Sequence, residues 1–262
     1  MSSEGKFCVI AAVNSPTILS ACLARSPDIA NGKWSLITFN DCKSASIAYN
    51  AGLSSCDSPI VVFAHQDVYL PSGWFERVDA EISIVERSDP NWAVLGVFGL
   101  THSKKVVGRV WSTGLMRELD FASERPEVAA SIDELVIILR RASGIAFDAN
   151  LPGFHLYGTD IVTSAYRRGN RSYVINAPVV HNSKPVKSLR GSYERAYDSI
   201  RMKYRDMLPI ETLICQIGRF KWSLRRAQWR SWRRSRSPVL DTVTDASLLA
   251  QELGYESPNR VQ

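Results

Sequence analysis

His65 and Asp67 stand two residues apart where the apolar run Pro59-Ile60-Val61-Val62-Phe63-Ala64 ends. In extended backbone, side chains two apart lie on one face, so an imidazole and a carboxylate converge on a shared ligand. A divalent ion that bridges two phosphates takes hard oxygen ligands, accepts imidazole when it is manganese, and leaves positions open for substrate. Asp67 is the natural ligand of such an ion. The competing assignment makes Asp67 a cap on the turn before Pro71 and packs His65 against the next helix.

The elements that must hold these residues follow from hydrophobic periodicity. Phe7 to Val13 is a continuous apolar run closed by Asn14-Ser15-Pro16, the pattern of a strand buried on both faces and followed by a capped helix. Trp34 to Phe39 repeats it and stops at Asn40-Asp41; a helical stretch with Ala45, Ile47, Ala48 and Leu53 follows. Pro59 to Ala64 is the third run, and Pro71-Ser72-Gly73-Trp74 opens an amphipathic helix through Phe75, Val78, Ile82 and Val85. Strand and helix alternating three times argue for a parallel sheet with helices on both faces and ligands at the strand C-termini.

The middle of the chain changes character. Trp92 to Leu100, Val106 to Trp111 and Glu134 to Leu139 are strand-like and joined by loops rather than helices. Tyr157 to Arg168 is helical in pattern, with Gly169-Asn170 as its stop and Ser172 to Asn176 as a strand beyond. Tyr193 to Met207 keeps helical spacing until Pro209, and a second helix is expected along Ile210, Leu213, Ile214, Ile217, Phe220, Leu224 and Ala227. The fold class is α/β: a mixed, mainly parallel sheet flanked by helices, with a C-terminal helical extension. Residues 1–190 are expected to form the ligand-binding domain, residues 191–236 the C-terminal helices, and residues 237–262 a polar tail.

A chain of 262 residues, 45% hydrophobic, can bury a substantial core. The net charge of +6 is not spread out: Arg219 to Arg236 holds eight Lys or Arg and no acid, which leaves −2 on the remainder. That distribution argues against a dedicated nucleic-acid-binding domain. Five cysteines without a C-x-x-C pair read as small buried hydrophobes. Phe7 to Val13 is too short for a signal or spanning helix and has no basic lead, so a cytoplasmic location is expected. G-x-G-x-x-G, G-x-x-x-x-G-K-[ST] and G-x-S-x-G are all missing, which disfavours a dinucleotide oxidoreductase, a P-loop NTPase and a serine hydrolase.

Asn50-Ala51-Gly52 followed by Pro59 to Val68, with His65-Gln66-Asp67 at the strand end, resembles the donor-binding half of GT-A glycosyltransferases of the family 2 type. That family shows D-x-D where this chain has H-x-D, so Asp67 is the matched metal ligand and His65 is left to contact ribose or metal. Phe147-Asp148 and Gly153 to Asp160 resemble the family's acceptor-side segment, and the likeness spans roughly Phe7 to Ser183. It implies metal-assisted, inverting transfer of a sugar from a UDP- or GDP-sugar to a glycan or lipid-linked acceptor, with Mn2+ or Mg2+ as cofactor. Asp160 is implied as the base that deprotonates the acceptor hydroxyl; on sequence alone Thr159-Asp160 is equally an ordinary helix start.

Val179-Val180-His181-Asn182-Ser183 resembles the segment that closes the donor site, where the histidine joins the metal sphere. In the fold implied, Asn14-Ser15 and Asn40-Asp41 occupy the loops that hold base and ribose, with Asp41 or Asn40 accepting a base hydrogen and Asn50 on the same side. Asp133, His155 and Tyr157 are assigned to the acceptor side, Asp133 with capping as its alternative. Two other readings stay open: a nucleotide-binding module that kept the fold without turnover, and a nucleotidyltransferase. The Arg/Trp segment of residues 219–236 suits peripheral contact with an anionic membrane, or a solvated basic helix face; no specific nucleic acid is expected.

Overall fold

The computed structural model describes residues 5–182, 188–234 and 245–256. The chain opens with β1 (Phe7–Val13), α1 (Pro16–Ala21), α2 (Pro27–Ala30), β2 (Ser35–Asn40), α3 (Ala45–Ser54), β3 (Ile60–Ala64), the two-residue β4 (Val68–Tyr69) and α4 (Trp74–Ser88). It continues through β5 (Val94–Gly96), β6 (Phe98–Thr101), β7 (Val106–Ser112), β8 (Arg117–Phe121), β9 (Glu127–Ile132) and β10 (Val136–Arg140). Then come α5 (Tyr157–Arg167), β11 (Ser172–Val174), β12 (Val179–His181), α6 (Ser192–Lys203), α7 (Trp222–Arg234) and α8 (Ala246–Glu252).

The strands run in the order β2-β1-β3-β10-β5-β11-β9-β6-β7-β12-β4, and β8 pairs with β7 off this path. β3 is buried on both faces because helices cover the sheet from both sides. Alternation decides which side each residue serves: Cys8, Ile10, Val61 and Phe63 pack with α3, α5 and α6, whereas Val9, Ala11, Val62 and Ala64 pack with Phe75, Val78, Ile82 and Val85 of α4. Truncating a side chain as enclosed as Phe63 would cost about 3–5 kcal/mol.

The sheet is mixed, but among the described residues it is not mainly parallel: four strand pairings are parallel and seven antiparallel. Two of the antiparallel pairings, β6 with β7 and β7 with β8, join consecutive strands through short loops, which cannot make the long crossover a parallel neighbour needs. The run Trp92 to Leu100 divides at Val97. β5 pairs with β10 and β11, whereas β6 pairs with β7 and β9.

The second C-terminal helix starts later than periodicity suggests. Residues 210–217 form a turn closed by reciprocal backbone bonds between Ile210 and Ile217, of 2.9 and 2.8 Å. Thr212 Oγ1 accepts from the Ile214 and Cys215 amides and donates to the Cys215 carbonyl. A hydroxyl that serves its own neighbours' backbone competes with the helical ladder, and here it wins. Helix α7 begins only at Trp222 and sets Leu224 and Ala227 into the same core as α6. No described helix is long and apolar enough to cross a membrane. α8 falls in the stretch read as a polar tail and packs Ala246, Leu249 and Ala250, with Tyr255 just beyond it, onto Tyr69 and Val180.

Candidate metal and nucleotide site

Two chain segments build the site. β3 delivers His65 at its C-terminal end, where the His65 amide donates to the Leu135 carbonyl. A tight turn, Val68 N–H to His65 C=O at 3.2 Å, then swings Asp67 back and starts β4. β4 pairs antiparallel with β12, Val68 opposite His181, and this register sets His181 beside Asp67. The Asn182 amide donates to the Asp67 carbonyl at 2.8 Å and locks the two segments together.

The result is a cluster in which one ligand atom each from His65, Asp67 and His181 lie within 4.8 Å of one another. Asp67 Oδ1 is 3.4 Å from His181 Nε2 and 3.9 Å from His65 Nδ1. His181 Nε2 is buried and closes no well-aligned hydrogen bond; the Asp67 carboxylate at 3.4 Å is its ion-pair partner, so both groups point into the cluster. Burial opposes ionisation of Asp67, but the charges of His181 and His65 override it and hold the carboxyl at about 2. Burial also disfavours the imidazolium of both histidines. For His181 the Asp67 charge reverses the effect and raises it, whereas His65 stays lowered.

His65 is oriented from behind. Its Nε2 lies 2.6 Å from Tyr157 Oη, and the Tyr157 hydroxyl lies 3.2 Å from the Glu134 carbonyl, to which it donates. With that hydroxyl proton committed to Glu134, Nε2–H must donate to tyrosine, which leaves the Nδ1 lone pair facing Asp67. Gly158 permits the arrangement: a Cβ there would meet the Ile132 carbonyl at 2.6 Å, so only glycine lets α5 start so close to β9. Glu134 is pushed up to about 8, chiefly by burial and secondarily by Asp133, whose charge also favours the protonated forms of His65 and His181.

A cavity of about 420 Å3 adjoins the cluster, lined by Asn14, Asp41, Cys42, Tyr49, His65, Gln66, Asp67, Phe154 and Tyr157, with Ala12 and Val13. Its volume is within the range of small-molecule sites. Gln66 organises the wall: Oε1 accepts from the Asn14 and Ser15 amides at 3.1 and 3.0 Å, and Nε2 donates to Asn14 Oδ1. Asp41 enters at φ 52° with its amide on the Val13 carbonyl.

Several expected site residues lie elsewhere. Asn40 is exposed and outside the cavity lining. Ser15 reaches the wall through its amide while its hydroxyl caps α1. Asn50 clamps the Phe147 backbone with both ends of its amide, at 2.8 and 3.0 Å. Asp160 is 1% exposed, with its carboxylate on Lys203 Nζ at 2.7 Å and on the Tyr204 hydroxyl at 2.9 Å. Lys203 also meets Asp148 at 2.7 Å. His155 stacks edge-on with Tyr193, 5.6 Å between centroids, and its basicity is lowered by burial. Ser183 lies outside the described residues.

Sequence reasoning assigned no role to Gln66, Glu134, Cys42, Tyr49 or Phe154. Only Gln66 carried a signal, its place between His65 and Asp67.

No family model matches the chain. It is 29% identical over 177 residues to "ATP synthase subunits region ORF 6" of Fuscovulum blasticum, covering 64% of this chain and 68% of that protein. Solved structures with a similar chain course include the mannosyltransferase PcManGT from Pyrobaculum calidifontis in complex with GDP-Man and Mn2+, at TM-score 0.46, 11% identity, 77% of this chain and 63% of that one. GalNAc-T7 with UDP, GalNAc and Mn2+ gives TM-score 0.49 and 10% identity, over 88% of this chain and 55% of that one. S. aureus TarS in complex with UDP-GlcNAc gives 0.49 and 14%, over 79% and 67%.

Proposed function

We propose that the protein transfers a sugar from a nucleoside-diphosphate donor and uses a divalent cation held by His65, Asp67 and His181. The observation that carries this reading is the convergence of those three side chains at the edge of the cavity, with the buried Nε2 of His181 closing no well-aligned hydrogen bond. Two imidazoles and one carboxylate suit manganese better than magnesium, which prefers oxygen ligands throughout. When bound, such an ion neutralises the charge that develops on a diphosphate leaving group.

The chain's own residues divide the remaining work. Gln66 holds the Asn14-Ser15 loop, and with Asp41, Cys42 and Tyr49 this wall receives the base and ribose of a UDP or GDP moiety. Tyr157 fixes the His65 ring so that Nδ1 is the free donor. On the acceptor side the base is Asp133 rather than Asp160: Asp160 is enclosed by Lys203 and Tyr204, whereas Asp133 is part-exposed and spends one carboxylate oxygen on the Leu135 amide at 3.1 Å. Phe154, on the cavity wall, flanks the approach for a glycan or lipid-linked hydroxyl, with His155 next to it in the chain.

Titration calorimetry with UDP and GDP, with and without Mn2+, tests the reading. Metal-dependent binding and slow hydrolysis of the matching nucleotide-sugar are expected, both lost in Asp67→Ala. The burial of Asp160 also favours a second reading, a nucleotide-binding module without turnover; metal-dependent binding with no donor hydrolysis would select it. If neither nucleotide binds in the presence of metal, both readings fall.

A further inference from the structure

We propose that α7 is a docking surface for an anionic lipid bilayer. The helix has two faces with opposite assignments. Leu224 and Ala227, 0% and 3% exposed, lie in the core with Tyr197 and Ile200 of α6, and Gln228 Nε2 donates to the Leu189 carbonyl at 3.1 Å. Lys221 is committed within the protein, to Asp198 at 2.6 Å and Glu194 at 3.3 Å. This face fastens the helix to the body.

The other face is turned to solvent. Trp222, Trp229 and Trp232 are 76%, 53% and 54% exposed, and Phe220 just before the helix is 72% exposed. Seven residues are nearly two helical turns, so Trp222 and Trp229 share a side, opposite the buried pair. Exposed Arg225, Arg226 and Arg230 alternate with the indoles. Large aromatics left this accessible beside arginines make the pattern of an interfacial helix: rings enter the headgroup region while guanidinium groups meet lipid phosphates.

Charge complementarity selects the partner. The segment from Arg219 to Arg236 carries +8 without an acid, and the rest of the chain carries −2. An extended nucleic acid would need a basic track continuing over the body, and the rest of the chain has no net positive charge to extend one. A membrane needs only the helix, a band about 20 Å long.

Sedimentation of the full chain with vesicles of phosphatidylcholine alone, and of equal parts phosphatidylcholine and phosphatidylglycerol, tests the surface. Binding is expected to the anionic vesicles only, weakening as salt rises. Each arginine near a charged bilayer changes the partition about fivefold, so Arg225→Gln with Arg226→Gln and Arg230→Gln should weaken it roughly a hundredfold. Trp222→Ala should also weaken binding, and both variants should keep the parent's melting temperature. No sedimentation, equal binding to both vesicles, or undiminished binding by the arginine variant overturns the proposal. So does a single-stranded RNA or a duplex DNA that binds more tightly than the anionic vesicles at the same salt.

Discussion

Asp160→Asn separates a structural carboxylate from a catalytic one. In the folded chain Asp160 meets Lys203 at 2.7 Å, and at an effective dielectric of about 20 their gross attraction is about 6 kcal/mol. Most of that is offset: the Asp160 side chain is only 2% exposed, so its desolvation is costly, and Lys203 keeps Asp148 at 2.7 Å after the change. Asparagine still accepts from Tyr204. A net loss of about 2 kcal/mol follows, below the ~3–5 kcal/mol of a pair broken with no remaining partner. For a chain of this size that lowers the melting temperature by about 4–8 °C. Scanning calorimetry reads the shift, and titration of Mn2+ and UDP below the transition should give unchanged affinities. An unchanged melting temperature with abolished donor turnover would refute the structural assignment and restore Asp160 as the base.

Tyr157→Phe removes the hydroxyl that orients His65 and should weaken Mn2+ binding about tenfold with little effect on folding, as read by calorimetry; equal affinity would sever the link from Tyr157 to the metal. Gln66→Ala frees the Asn14-Ser15 loop and should cost about 1–2 kcal/mol of nucleotide affinity while metal affinity holds. Glu134 gives a pH signature. Its folded carboxyl, at about 8, lies above the ordinary 4.5, so the folded state binds the extra proton between these values. This contribution to stability is fully present below about pH 4.5 and is lost as pH rises through 8. Glu134→Gln should therefore flatten the fall in melting temperature between pH 6 and 9; an identical slope in the variant would exclude Glu134 as its source.

What the sequence disclosed was mostly local. Continuous apolar runs identified β1 and β3 because strands buried on both faces tolerate nothing else, and the two-residue spacing of His65 and Asp67 survives folding because a single turn carries both. His181 could be joined to them only through a family resemblance: its neighbour is chosen by the β4–β12 pairing, across more than a hundred residues. The enclosure of Asp160 was hidden for the same reason, since Lys203 and Tyr204 come from the end of a helix whose docking no spacing rule reports. The division of β5 from β6 at Val97 was hidden because one apolar run serves two sets of neighbours. The turn at residues 210–217 was hidden because Thr212 keeps helical company while bonding its own backbone.

α8 supplies none of the three proposed ligands, yet it packs on Tyr69 and Val180 of the β4–β12 pair, a ribbon only two or three residues long that also carries His181. So short a ribbon has little cooperativity of its own, and its amides are shielded as long as the helix stays seated. The last described helix thereby sets how long the proposed ligands stay in register. A chain ended at Arg234 should still fold its central sheet while exchanging its β4 and β12 amides much faster, losing cation affinity through the lifetime of the site rather than through its composition.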